Sequence, residues 1–316
     1  MFATAALMSL GQTTVTEQKS LSDEYVALQQ SFWKSPEKEL SSAQRGQLKA
    51  IVDRATPGTF DYHILKCLYA EDPVQTKQDL DQAASLNPNH PLVLVQQLKY
   101  YHILGNQAQA VVVLQSLKNS GRISNDKLAY TEDVLKGMPV NAVVLTNGFD
   151  DTYSMLYLQW VKGMRTDLMI VSIDYYRCAE FRKKIANRLI ISEEKIKFNS
   201  RYQFWKSLSD QRTSKSIVLP FTLPPTWLKE ISASTVCGGL YLIHPTFSSP
   251  QQRLQAYQQM TFASTSLSDN YLPFLFFLKQ EAERSNAGLV ATIESRILQI
   301  AEKSKHRNDV KKELGK

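Results

Sequence analysis

Two adjacent stretches, PGTFDYHILKCLYAEDPVQTKQDLDQAASLNPNH (57–90) and PLVLVQQLKYYHILGNQAQAVVVLQSLKNSGRIS (91–124), align over 34 residues without a gap. In the second, Leu94, Leu98 and Tyr101 recur at the spacing of one helical face, Gly105 marks a turn, and Ala110 and Leu114 fall on a following helix. The first supplies Phe60, Cys67, Leu80, Ala83 and a closing Pro88. Each choice has a steric reason. Alanines at Ala83 and Ala110 let two helices approach closely, and Gly105 takes the left-handed conformation that ends a helix. Asn87-Pro88 and His90-Pro91 punctuate the gap between the two copies, since proline is tolerated at a helix start and not inside one. The first copy is degenerate, with Glu71 at the turn and Thr76 where the second has Ala110.

Thirty-four residues is the period of the tetratricopeptide repeat, a pair of helices that stacks on its neighbours. Upstream, Ser22–Trp33 and Ser41–Arg54 read as another helix pair, with Tyr25, Leu28 and Phe32 on one face and Leu48, Ile51 and Val52 on the other. Residues 21–136 are therefore expected to form three stacked hairpins, about the minimum for a stable solenoid. Such an arc leaves a concave groove that suits an extended or helical segment of a protein partner.

The pattern changes at Gly137. Pro139 ends the helical part, and VNAVVLT (140–146) is a β-branched run of the kind that forms a buried strand. A loop over Asn147–Thr152, a helix near Tyr153–Met164 and an apolar run at Leu168–Ile173 complete a βαβ unit with parallel strands. Further helices are expected at Ala179–Leu189, Tyr202–Ser209 and Pro225–Ile231, and strands at Ser216–Thr222 and Val236–Ile243. The fold class is thus α/β plus all-α: helical hairpins over 21–136, a small mostly parallel sheet domain over 137–249, and C-terminal helices over 250–316, the last including a pair at Asn270–Ser285 and Ala287–Lys303.

Composition narrows the function. With 43% hydrophobic residues in 316 the chain buries a real core. Its formal charge of +7 sits largely in the tail, where six Lys or Arg between Lys303 and Lys316 face only Asp309 and Glu313. That tail reads as a solvated helix end, with a contact to anionic lipid or an acidic partner as the lesser alternative, and not as a nucleic-acid surface. Membrane association is at most peripheral, because no stretch reaches the ~18 apolar residues of a spanning helix. Cys67, Cys178 and Cys237 are far apart, lack a C-x-x-C pair and sit among apolar neighbours, so burial is expected and neither a zinc site nor a disulfide framework. An apolar run, Phe2–Leu10, followed by small and polar residues resembles the second half of a secretory signal peptide without its charged start. Residues 1–20 are accordingly read as a signal remnant and linker, and the expected location is the periplasm or another exported compartment, or the cytoplasm if that run is no signal.

The segment LTNGFDDTYSMLYLQWVKGMRTDLMIVSI (145–173) resembles a stretch in the soluble C-terminal region of bacterial membrane proteins described as protein O-mannosyltransferase-like and otherwise of unknown function. Members read as a strand, Thr-Asn-Gly-Asp-Asn-Asp-Thr, an aromatic, a Tyr-x-Gln helix, then Gly-x-Arg-x-Asp and a second strand. Thr146, Asn147, Gly148, Asp151, Thr152, Tyr157, Gln159, Gly163, Arg165 and Asp167 match, while Phe149 and Asp150 replace the family's first Asp and its Asn. Weaker echoes lie at Gly239-Leu240-Tyr241 near Pro245 and at Asn270-Tyr271-Leu272-Pro273. The resemblance implies a shared accessory domain. It implies no transferase activity, because the sugar-transfer chemistry belongs to a membrane-spanning part that has no counterpart here.

Asn147, Asp150, Asp151 and Thr152 are the candidate ligand-binding residues, since ligands in open α/β folds bind beyond the carboxyl end of a strand. The plainer reading is that Asp and Thr cap a helix N-terminus there. Arg165 and Asp167 are read as an ion pair fixing the helix-to-strand turn. No histidine accompanies a nucleophile pattern, so no catalytic residue, metal ligand or cofactor is assigned. The expected function is a non-catalytic adaptor or scaffold subunit of a bacterial envelope assembly in secretion, motility or glycosylation. The alternative is an enzyme that takes a sugar- or nucleotide-type substrate at the 147–152 loop.

Overall fold

The computed structural model describes residues 20–33, 39–210, 215–224, 226–227, 230, 236–238, 240–244, 250–262, 267–285, 287–304 and 306–315. The run at 2–10, most of the helical turn expected over 225–231, Gly239 and Pro245 lie outside the described residues.

Six helices form three successive pairs: α1 (Leu21–Phe32) with α2 (Ser42–Asp53), α3 (Phe60–Ala70) with α4 (Lys77–Leu86), and α5 (Pro91–Leu104) with α6 (Gln107–Asn119). Their starts are written locally. The Ser20, Thr59 and Asn106 side chains accept the N–H of Asp23, Tyr62 and Gln109, and Ser41 with Gln44 forms a reciprocal capping box. Pro91 opens α5. The 34-residue register holds where the helices pack. Glu71 and Gly105 both end a first helix in the left-handed conformation, at φ 59° and 73°. Ile64 and Leu98, Leu80 and Leu114, and Ala83 and Leu117 are all sealed from solvent. Leu94 and Ala110 are buried, and Phe60 and Tyr101 are half-buried, Phe60 lying 4.6 Å from the His90 ring. Pro88, expected among the packing residues, is instead exposed. It shapes the turn between Asn87 and His90 and touches no core.

After α7 (Asn125–Leu135) the chain enters a sheet of order β2-β1-β3-β5-β4. Here β1 is Val143–Thr146, β2 Met169–Ser172, β3 Ile217–Pro220, β4 Val236–Cys237 and β5 Tyr241–His244. β1 pairs parallel with both β2 and β3, as the βαβ pattern requires, whereas β5 runs antiparallel to β3 and to β4. The apolar run at 236–243 is therefore two strands and not one. The Gly238 N–H closes on the Tyr241 carbonyl at 2.9 Å, and so short a connection permits only antiparallel pairing.

The helix after β1, α8 (Phe149–Leu156), begins four residues earlier than expected and runs into a π-turn at Tyr157–Val161. α9 (Ala179–Leu189) and α10 (Arg201–Ser209) follow β2, and α11 (Pro250–Gln259), α12 (Leu272–Ser285), α13 (Val290–Ala301) and α14 (Arg307–Glu313) complete the chain. One continuous core runs from Leu94 in α5 through the sheet to Val310 in α14, while two satellite clusters centre on Tyr25 and Ile64 in the first two helix pairs. All three cysteines are buried and none is in a disulfide. No described helix is long and apolar enough to cross a membrane.

Candidate functional site

The arc of helix pairs touches the sheet domain at both ends. At its start, the Glu39 carboxylate accepts the N–H of Arg201 and of Tyr202, at 2.8 and 3.4 Å, and so caps α10. Near its end, Lys184 of α9 donates to the His102 carbonyl of α5 at 3.1 Å. Between these contacts Glu71 pairs with both Arg45 and Arg177, the latter just beyond β2. Between the helix pairs and the sheet domain lies a pocket of about 320 Å³.

The first helices supply most of its repeat wall: Val26, Gln29 and Trp33 from α1, Leu68 from α3, and Leu92, Val95, Gln96 and Lys99 from α5. The opposite wall is the carboxyl edge of the parallel strands, with Gly148 and Phe149 after β1, Asp174, Tyr175 and Tyr176 after β2, and Arg201 at the head of α10. A second depression, of about 670 Å³, over α10 is bordered by Lys195, Lys206 and Asp210, of which the last two pair with each other at 2.6 Å.

Three polar groups define the interior. Lys99 is buried in the middle of an apolar helix, where its ammonium donates to the Glu71 carbonyl and lies 5.4 Å from the centre of the Tyr175 ring. Burial pushes its pKa down, against the opposing pull of the Glu71 and Asp174 carboxylates. Arg201 is only 5% exposed, yet it pairs with Asp174 at 2.6 Å and donates to the Asn147 side-chain oxygen at 2.7 Å, while its Nε has no partner. Gln96, 8% exposed, has a side-chain oxygen without a donor.

The segment from Asn147 to Thr152 reaches this pocket, though not through its acids. Gly148, at φ 90°, turns the chain off β1 directly into α8, so Phe149 is already helical. No side chain caps the helix from that position. The Asp151 carboxylate instead reaches back to the Asn147 N–H at 3.3 Å and accepts the Thr222 hydroxyl. Asp150 pairs with Lys127 of α7, and the Thr152 hydroxyl bonds that of Thr146 at 2.7 Å. Asn147 donates to the Thr222 carbonyl at 3.2 Å while it holds Arg201. Of the four candidates Thr152 lines the pocket, Asn147 positions a residue that does, and the two aspartates tie β1 and α8 to their neighbours.

The second half of the motif is a structural clasp. Gln159 donates to the carbonyls of Arg165 and Leu168, at 2.8 and 2.9 Å, pinning the turn between helix and strand. Arg165 forks onto Asp167 with two 2.9 Å contacts and reaches the carbonyls of Leu135 and Pro139 at the end of α7. Asp167 in turn accepts the Asn141 N–H at 2.8 Å. Its carboxyl pKa is held down to about 2, chiefly by Arg165.

Sequence reasoning missed Lys99, Gln96, Arg201 and Asp174. For the first two a signal exists: PLVLVQQLKYYHIL is apolar nearly all round, and a lysine and glutamines inside such a helix must face something polar.

Residues 127–197, from α7 through the βαβ unit to the end of α9, match the family described as TMEM260-associated domain 2. This part of the chain is therefore similar to that domain, and it contains the clasp and, apart from Arg201, one wall of the pocket. No curated protein and no solved structure matches the chain.

Proposed function

We propose that the chain is a non-catalytic adaptor: an exported scaffold subunit of a bacterial envelope assembly that holds a partner protein on the concave face of tetratricopeptide-like helix pairs. The observation that carries this reading is the composition of that face. The helices on its repeat side are mainly α1, α3 and α5, the first helices of the three pairs, with Arg45 alone from a second helix and Glu39, Leu40 and Arg122 from the connections. Repeat solenoids use such a surface for binding. The engagement of Asp150 and Asp151 in bonds within the fold supports a non-catalytic role. Similarity of the βαβ unit to the soluble region of O-mannosyltransferase-like membrane proteins supports an accessory part in envelope glycosylation, with secretion and motility as the other settings. No transferase chemistry is carried over to this chain.

Photo-crosslinking tests the proposal. A benzophenone amino acid at Val95, in the groove, is expected to trap a defined partner in the native host. The same group at Val112, which is 58% exposed on α6, is expected to trap none. No adduct from Val95, or the same adducts from both sites, would remove the groove from the account.

A further inference from the structure

The pocket's charges do not balance. Four cations line it, Arg45, Lys99, Arg122 and Arg201, and a fifth, Arg177, pairs with Glu71, against three carboxylates, Glu39, Glu71 and Asp174, a surplus of two positive charges. Every one of those carboxylates is engaged: Glu39 by two backbone N–H groups, Glu71 by Arg45 and Arg177, and Asp174 by Arg201. Lys99 has a carbonyl as its partner, and Arg122 lies over the Phe149 ring at 5.0 Å; among the described residues neither forms an ion pair. A buried cation whose only direct partner is a carbonyl is costly, and so is the unpartnered Arg201 Nε in the same wall. The space is small as well. A volume of about 320 Å³ lies at the low end for ligand pockets.

From this geometry we infer that the pocket holds one carboxylate on a compact, partly aromatic body, either a small organic acid or the carboxyl end of a partner chain. A carboxylate brings the unpartnered Arg201 Nε an acceptor in the plane of the guanidinium and offsets part of the surplus. Phe149, Tyr175 and Trp33 offer the body apolar surface. The inference deepens the adaptor reading by naming the chemistry of what the concave face holds.

Calorimetric titration of the intact protein tests it with two acid and amide pairs, phenylacetate against phenylacetamide and N-acetyl-Gly-Phe against its C-terminal amide, plus phenyl phosphate. Loss of a charge-assisted contact makes each amide about tenfold weaker than its acid. Selectivity confined to phenylacetate supports the inference with a small acid as source, and selectivity confined to the dipeptide supports it with a chain end. Lys99→Met is expected to bring each acid to within about twofold of its amide. The exposed Arg122→Gln, which leaves the core untouched, weakens the acids by a few fold. Amides that bind as well as acids, no binding by any probe, or phenyl phosphate binding tightest would overturn the inference. Partner capture at Val95 with no acid preference sinks this inference and leaves the adaptor, whereas acid-selective binding without capture supports it and sinks the adaptor.

Discussion

His102 sits where α5 meets the sheet domain, with the rings of Trp160, Tyr175 and Phe181 edge-on at 5.4 to 5.6 Å and no partner for its Nδ1. Burial, followed by the nearby Lys184 charge, pushes its pKa from 6.5 down to about 3. A depressed pKa means that the unfolded chain takes up a proton that the folded one refuses. His102 therefore contributes stability that is present above pH 6.5 and is lost as the pH falls toward 3. Its share of the slope is about 1.4 kcal/mol per pH unit within that window. His102→Phe keeps the ring packing and removes the titration, so urea unfolding from pH 6.5 to 4 should flatten by about that slope. An unchanged slope would show that the imidazole is charged or solvated in the native state. Asp167 acts in a separate window. Its depressed pKa places its contribution above about pH 3.8, lost as the pH falls toward 2, and Arg165→Met should erase that part of the acid limb alone.

At the scale of elements, two glycines with similar backbone angles carry different loads. Gly105 at φ 73° ends α5, and a Cβ there meets only the tip of the flexible Lys184 side chain, at 3.5 Å. Gly137 at φ 78° follows α7, and a Cβ there lies 2.9 Å from the Cβ of Ala256 in α11. Gly105→Ala should cost about 1 kcal/mol, the left-handed strain alone. Gly137→Ala adds overpacking against a helix that cannot step aside, for a total of about 3 kcal/mol. Urea midpoints give the order, and equal losses would mean that α11 moves freely. The same contrast shows what the sequence makes legible. Gly105 is readable because helix ends are local, set by periodicity and one left-handed residue; so are the capped starts of α2 and α3 and the strands β1 and β2. The hairpin of β4 and β5 was hidden inside one apolar run, and Gly238-Gly239 was its only turn signal. The site was mostly illegible. Arg201 owes its role to Asn147, 54 residues away, and to a cap from Glu39, 162 residues away, which no local pattern encodes.

Across the whole molecule, packing divides the arc in two. The third helix pair shares its core with the sheet and the C-terminal helices, and Asp133 of α7, fully buried, fastens those helices by accepting from the Thr261 and Phe262 N–H groups and the Tyr271 hydroxyl. The first two pairs bury small clusters of their own, one of which takes in Val93 of α5, and reach the rest of the molecule through Val74 and through polar contacts, Glu39 on α10 and Arg177 on Glu71. Short polar bridges open more readily than a shared apolar core, so the wall of the pocket formed by α1 to α4 is the part able to swing away and admit a ligand. Native-state hydrogen exchange should then show α1 to α4 opening as a unit at a free energy a few kcal/mol below that of α5, β1 and β3. Glu39→Gln, which weakens the cap on α10, should lower the first value by about 1 kcal/mol and leave the second unchanged. Uniform protection from α1 to β3 would mean that the arc and the sheet unfold together, and that ligand entry needs a route other than this wall.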